Sequence, residues 1–232
     1  MTNTKISIPA GLKALHSFDV YGVILNTEQL GEQSIAHFRQ IAPLEQIPDD
    51  QTTKTIDDYR ALIQGQPWTT GELKRGIIEA IKKPLAKYPD LKVNYQQAMY
   101  QDCLQTMDQL LNCNERVMLF SSLDAEWIKK ELPSEIASRL TATYGQPKIK
   151  PEAWQQVEQI EFAKGNYLVS HTADELPELE AAIASGIFTQ HNGRLIFVNR
   201  NNQITPAQAR NAGIEYYVND LREVPYTKLV RK

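Results

Sequence analysis

From Leu12 to Phe18 the chain carries a short, nearly continuous apolar run of strand type, and after Asn26 the spacing becomes helical, with Ile35, Phe38 and Ile41 on one face. The change falls just after "DVYGV", residues 19–23. Helical patterns then continue through "TIDDYRALIQG", "TTGELKRGIIEAIKK" and "YQQAMYQDCLQTMDQLL", with Pro43, Pro48, Pro67, Pro84 and Pro89 as punctuation. In the last of these segments Met99, Cys103, Met107 and Leu110 form a stripe that reads as core. Strand-like runs resume at "RVMLFSS", residues 116–122, and alternate with helical ones thereafter: "AEWIKKEL", "LTATYG", "KPEAWQQVEQI", "NYLVSHT", "ELPELEAAIASG", "GRLIFVNR", "TPAQARNAG", "IEYYVND". Such alternation, with strands of buried type, predicts an α/β fold whose parallel sheet is covered on both faces. Residues 1–26 and 115–232 are expected to form that domain, with 27–114 as a helical module inserted after the first strand. Asn192-Gly193 within "QHNGR" is expected to make a tight hairpin turn.

The 232 residues, 42% of them hydrophobic, suffice for one sizeable core plus a smaller appended module. A net charge of −3, with no dense Lys/Arg run, lacks the footprint of a nucleic-acid binder and points to small molecules as partners. The start, "MTNTKISIPAGLKALH", has no signal-type apolar run, and no stretch approaches the roughly 18 apolar residues of a membrane span. A cytoplasmic protein without a membrane partner is expected. Cys103 and Cys113 are spaced too widely for one helix face to join them, and both read as reduced packing residues.

In open parallel sheets ligands bind beyond the carboxyl ends of the strands, where loops and helix N-termini converge. The residues that finish strands here are Asp19, then Ser121 and Ser122, then Lys148 or Lys150, then the stretch His171 to Asp174. A carboxylate so placed can attack phosphorus or carbon to give a covalent intermediate that water resolves, while hydroxyl and ammonium groups hold an anion.

The order and spacing of these strand ends resemble the haloacid dehalogenase superfamily over nearly the whole chain. The resemblance implies a Rossmann-like core, with the helical insertion as a cap and Asp19 as nucleophile. Ser121 and a lysine would then hold the transferred group, Tyr21, Gly22, Ser122 and Lys150 would line the substrate site, and the substrate would be a small anion. Within the superfamily the chain is similar to enolase-phosphatases: "LFSSLDAEWIKKEL" is like their Ser-Ser segment and following helix, "GELK" recurs in their cap, "ELEAAIASGI" is like their last-motif helix, and "VNRNN" is like their Arg-x-Gly-Asn segment.

Departures accompany the likeness. Phosphatases of the superfamily carry a second acid two residues after the nucleophile, to protonate the leaving oxygen and then activate water; here Tyr21 stands in that place, and a phenol with a pKa near 10 is a poor base at neutral pH. Haloacid dehalogenases do have Asp-x-Tyr-Gly at this point and need no metal. They differ in turn at Val23, at Ser122 and in the residues before Asp174. Lys150 precedes a proline, as the family's lysine often does, whereas Lys148 lies six residues before Trp154, the lysine-to-aromatic spacing of the enolase-phosphatases. Counting back from Gly186 puts the family's magnesium ligand at Asp174 and its second acid at Glu178, which preserves a magnesium site of Asp19, the Tyr21 backbone carbonyl and Asp174, with Glu178 as a further carboxylate of the metal set. Counting forward along the strand puts His171 in the ligand position, and the magnesium site is lost. Three functions follow as expectations: a magnesium-assisted phosphomonoesterase working through an aspartyl-phosphate, a carbon–halogen hydrolase, and a catalytically impaired relative that binds a small anion or a protein.

Overall fold

The computed structural model describes residues 5–63, 71–122, 126–200 and 204–231. The chain divides into two compact units, Met1–Ile24 with Met99–Lys232, and Leu25–Ala98.

In the first unit the strands are β1 (Ile6–Ser7), β2 (Lys13–Phe18), β3 (Arg116–Ser121), β4 (Ala142–Gly145), β5 (Asn166–Ala173), β6 (Arg194–Val198), β7 (Tyr216–Val218) and β8 (Val230–Arg231). Six of them form one sheet in the order β4-β3-β2-β5-β6-β7, every neighbouring pair parallel, and β1 pairs with β8 separately. The parallel sheet expected from the alternating pattern is thus present. Chain order runs outward from β2 in both directions, so the sheet reverses beside β2, the place where open α/β sheets bind ligands.

The connections are helical, which is what lets every strand pair be parallel. In chain order the helices of both units are α1 (Thr27–Ile41), α2 (Asp49–Ile63), α3 (Gly71–Leu85), α4 (Gln101–Asn112), α5 (Glu126–Glu131), α6 (Ser134–Ala137), α7 (Pro151–Ala163), α8 (Leu176–Ala184), α9 (Ile187–Gln190) and α10 (Pro206–Asn211). Leu15, Met118, Phe120 and Leu168 face Trp154 and Val157 of α7 and Leu179 of α8 in the main core. On β2 the alternate positions His16 and Phe18 meet Tyr226 instead, so the strand is buried on both sides.

Two local expectations change. Residues 99–114, placed with the inserted helices by their periodicity, lie in the sheet unit, because the Cys103, Met107 and Leu110 stripe of α4 is buried there and α4 packs against β3. Asn192-Gly193 is no hairpin. The residues before it form α9, Asn192 takes a positive φ of 53°, and the Gly193 N–H returns to the Phe188 carbonyl at 2.7 Å, so the turn ends a helix and feeds a parallel strand.

The second unit holds α1, α2 and α3 around Ile35, Phe38, Ile41, Ile56, Tyr59, Ile77 and Ile81. Asn26 caps α1 by accepting the Gln29 N–H at 3.0 Å, which explains why the spacing turns helical at that residue. Arg60 of α2 grips Glu32 of α1 with two nitrogens, at 2.8 and 2.9 Å. Among the described residues no helix is long and apolar enough to cross a membrane, and both cysteines are free.

Candidate functional site

Strand β2 delivers Asp19 and then turns. The Asp19 N–H still pairs with the Thr172 carbonyl at 2.9 Å, but the Val20 N–H folds back onto Asp19 Oδ1 at 2.6 Å. Gly22 follows with a φ of +75°, a conformation an L side chain rarely adopts. A Cβ there would lie 1.8 Å from Asp174 Oδ2, so the carboxylate of Asp174 is packed against the bare glycine backbone. Asp174 itself is the first residue beyond β5. The loop after β2 and the end of β5 therefore touch only because residue 22 has no side chain.

Lys148 reaches the same place from the segment between β4 and α7. It is 3% exposed and its Nζ bridges two carboxylates, Asp19 Oδ1 and Glu178 Oε2, the latter at 2.6 Å. Its backbone carbonyl accepts the Trp154 indole N–H at 2.7 Å, the physical content of the six-residue spacing. Lys150 does not join it: that residue is exposed and occupies the position before α7. Of the two lysines left open by the sequence, only Lys148 is brought to Asp19.

Glu178, in the first turn of α8, is 2% exposed. Its second oxygen, Oε1, meets His171 Nε2 at 2.5 Å, and His171 Nδ1 meets Ser17 Oγ at 3.0 Å. His171 thus lies inside β5, wholly buried and bonded within the protein, while Asp174 holds the strand end. Ser121 closes β3 and is buried; with Phe18 opposite Leu119 it stands two residues further along the neighbouring strand. Ser122 is exposed in the bend that follows. Tyr21 is half-buried, its ring centroid 6.2 Å from that of Trp127 at the start of α5. Of the "VNRNN" segment, Asn201 and Asn202 lie outside the described residues. Arg200 clamps both oxygens of buried Asp102 at 2.9 Å and stacks on Tyr100, which makes it a brace between the end of β6 and α4. Leu123, Asp124 and Ala125 of the Ser-Ser segment also lie outside the described residues.

Burial sets the electrostatics. It pushes the Asp19 carboxyl up to about 7; the charge of Glu178 adds to this, and Lys148 opposes it. Asp174 is raised well above the carboxylate range, first by burial and then by the charge of Asp19. Burial raises Glu178 as well, against the pull of Lys148. Burial would lower Lys148, but Asp19 and Glu178 together outweigh it and keep the ammonium charged. Burial, followed by the charge of Lys148, holds His171 well below its ordinary value, so its ring is neutral at pH 7.

Among the described residues no three His, Cys, Asp or Glu side chains converge as a metal cluster. Glu178, expected as a ligand, has both oxygens committed to Lys148 and His171. Asp19 and Asp174 are left as the carboxylates able to face a cation. That donor set fits magnesium, which takes hard oxygens and is commonly held by one or two carboxylates plus substrate phosphate. Asp174, raised first by burial and then by the charge of Asp19, gives a cation something to neutralise.

No known family profile matches the chain, and no curated protein does. Solved structures do. A dehalogenase is similar with a TM-score of 0.55 at 18% identity over 93% of this chain and 96% of its own. A predicted phosphoglycolate phosphatase from Haemophilus somnus 129pt gives 0.56 at 12%, over 92% and 96%. A hydrolase described as a haloacid dehalogenase-like family protein, from Streptococcus pneumoniae, gives 0.55 at 12%, over 94% and 99%. The chain has the haloacid dehalogenase-like fold.

Proposed function

We propose that the chain is a hydrolase of small phosphorylated metabolites that works through an aspartyl-phosphate on Asp19. The observation that carries this reading is the pairing of Asp19 with buried Lys148 at the carboxyl end of the strand beside which the sheet reverses, with Asp174 packed on the same turn. Asp19 attacks phosphorus, the ester P–O bond breaks, and the leaving oxygen takes a proton from solvent. Water then hydrolyses the acyl phosphate and restores the carboxylate. Lys148 balances the charge of Asp19 and of the phosphoryl oxygens, and the Ser121 hydroxyl donates to those oxygens. Asp19 and Asp174 would hold magnesium, which supplies charge neutralisation to the phosphoryl group when bound. The free cysteines suit a cytoplasmic setting. The finer likeness to enolase-phosphatases rests on short segments of sequence.

Tyr21 favours a second reading, a metal-independent carbon–halogen hydrolase, because an aromatic pair with Trp127 stands where a phosphatase needs an acid. The third reading is an impaired relative that binds a small anion or a protein partner.

The test is release of phosphate from an aryl phosphate, with and without magnesium. Wild type should be slow and magnesium-dependent, Asp19→Asn inactive, and Tyr21→Asp faster by about tenfold or more, given the usual worth of an acid/base group. Metal-independent halide release from a 2-haloacid would establish the second reading. No turnover of either kind, even in folded Tyr21→Asp, would leave the binding role.

A further inference from the structure

The strands β2 and β5 each bury a histidine and a serine side by side, in opposite order: His16-Ser17 faces Ser170-His171 in register. Polar residues inside strands buried on both sides are costly unless each finds a partner. His16 Nδ1 meets Ser170 Oγ at 2.8 Å on one face of the sheet. Ser17 Oγ meets His171 Nδ1 on the other, the face on which Trp154 packs. Only the second pair leads to the site.

From His171 an unbroken buried chain runs outward. His171 Nε2 contacts Glu178 Oε1, Glu178 Oε2 takes a hydrogen bond from Lys148 Nζ, and the same Nζ reaches Asp19 Oδ1. Facing the Lys148 ammonium at 2.6 Å, Glu178 is held as a carboxylate and only accepts, so His171 donates from Nε2; on a neutral ring Nδ1 is then left to accept the Ser17 hydroxyl proton. Trp154 fixes both ends of the arrangement. Its ring stands edge-on to His171 at 4.5 Å while its N–H holds the Lys148 backbone carbonyl. Glu178 can pivot on neither oxygen, and Lys148 is delivered to Asp19 in a single position.

We propose that His171, oriented by Ser17, is a positioning residue that donates from Nε2 to Glu178 and through it sets the Lys148 ammonium against Asp19. This deepens the phosphatase reading above and rests on it for its kinetic arm. The tautomer can be judged without any activity.

The experiment combines side-chain nitrogen NMR of histidine-labelled protein with kinetics on the aryl phosphate. His171 should carry its proton on Nε2 at pH 7, and Glu178→Gln, whose oxygen still accepts from Lys148 and whose NH2 then faces Nε2, should move the proton to Nδ1. His171→Phe fills the same buried space without a donor and should lower kcat by about 100-fold, the cost of a misplaced charged group, with KM changed far less. His171→Gln, which keeps an N–H donor, should recover part of kcat. Thermal unfolding of each variant identifies the folded samples to be compared. An Nδ1–H tautomer with Nε2 bare at pH 7 overturns the proposal, whatever the activity. So does a folded His171→Phe with unchanged kcat. If wild type lacks phosphatase activity but shows the Nε2 proton and its shift in Glu178→Gln, the phosphatase reading fails while the ordering of Glu178 by His171 stands.

Discussion

Replacing Gly22 by alanine should unsettle the turn that carries Asp19, and the structure separates the cost into two parts. The first is torsional: at a φ of +75° a Cβ crowds its own backbone, a penalty of about 1–2 kcal/mol. The second is steric. The new Cβ would fall 1.8 Å from Asp174 Oδ2, 2.1 Å from its Cγ and 2.5 Å from its Oδ1, so the whole buried carboxylate has to move; overpacking of this kind costs about 1–3 kcal/mol. Together, Gly22→Ala should lose roughly 2–5 kcal/mol, a large share of the stability of a typical domain. Urea unfolding, followed by circular dichroism and fluorescence, measures it. Asp174→Ala alone should be neutral or stabilising at pH 7, because it removes a carboxyl raised by burial and then by the charge of Asp19. Adding Asp174→Ala to Gly22→Ala should return the steric part and leave the torsional one, a coupling of about 1–3 kcal/mol. An equal loss from Gly22→Ala in both backgrounds would refute the contact with Asp174. A loss within about 0.5 kcal/mol, as for an ordinary surface change, would refute both parts.

Lys148→Met should destabilise the protein by about 3–5 kcal/mol at pH 7, since it strands two buried carboxylates; Asp19→Asn with Glu178→Gln in the same chain should recover most of it, and a Lys148→Met protein as stable as wild type would count against the bridge. Burial pushes His16 down to about 3 from an ordinary value of 6.5, and its Nε2 has no partner among the described residues. Between those values the unfolded chain binds the proton and the native one does not, so His16 costs nothing above the upper value and stability falls as pH drops through the window. Each pH unit there should cost wild type about 1.4 kcal/mol more than His16→Leu, and parallel stability profiles for the two proteins would contradict this.

The sheet and its direction were legible in the chain because both depend on local information. Buried parallel strands read as apolar runs, and a helical stretch between two of them is long enough only for a crossover, so the alternation from Arg116 onward implies parallel neighbours without any knowledge of contacts. The same logic put Asp19 at a strand end. It failed at Asn192-Gly193, because "IFTQ" forms a single helical turn, too short to show a period, and the turn dipeptide serves a helix end as well as a hairpin. It also assigned α4 to the inserted helices, since a stripe of apolar residues says that a helix is buried and not against what.

The candidate site divides along the same line. Lys148 and Lys150 are alike as ammoniums near a strand end, and only the Trp154 indole bond on the Lys148 carbonyl, with α7 starting just beyond, turns one inward and leaves the other exposed. His171 and Asp174 compete for one role until the length of β5 is known; the strand runs to Ala173, which buries the histidine and frees the aspartate. Ser17 went unnoticed, although a serine and a histidine in two apolar strands are a signal that each has a buried partner. Its partner lies 154 residues away. By itself the sequence determined the strands, the helices between them and the kinds of chemistry at the strand ends, because periodicity and residue type act over neighbouring positions. Which of those groups touch was decided only by the packing of β2 beside β5 under Trp154, because a buried charge or imidazole takes its partners from whatever the fold brings within hydrogen-bond reach.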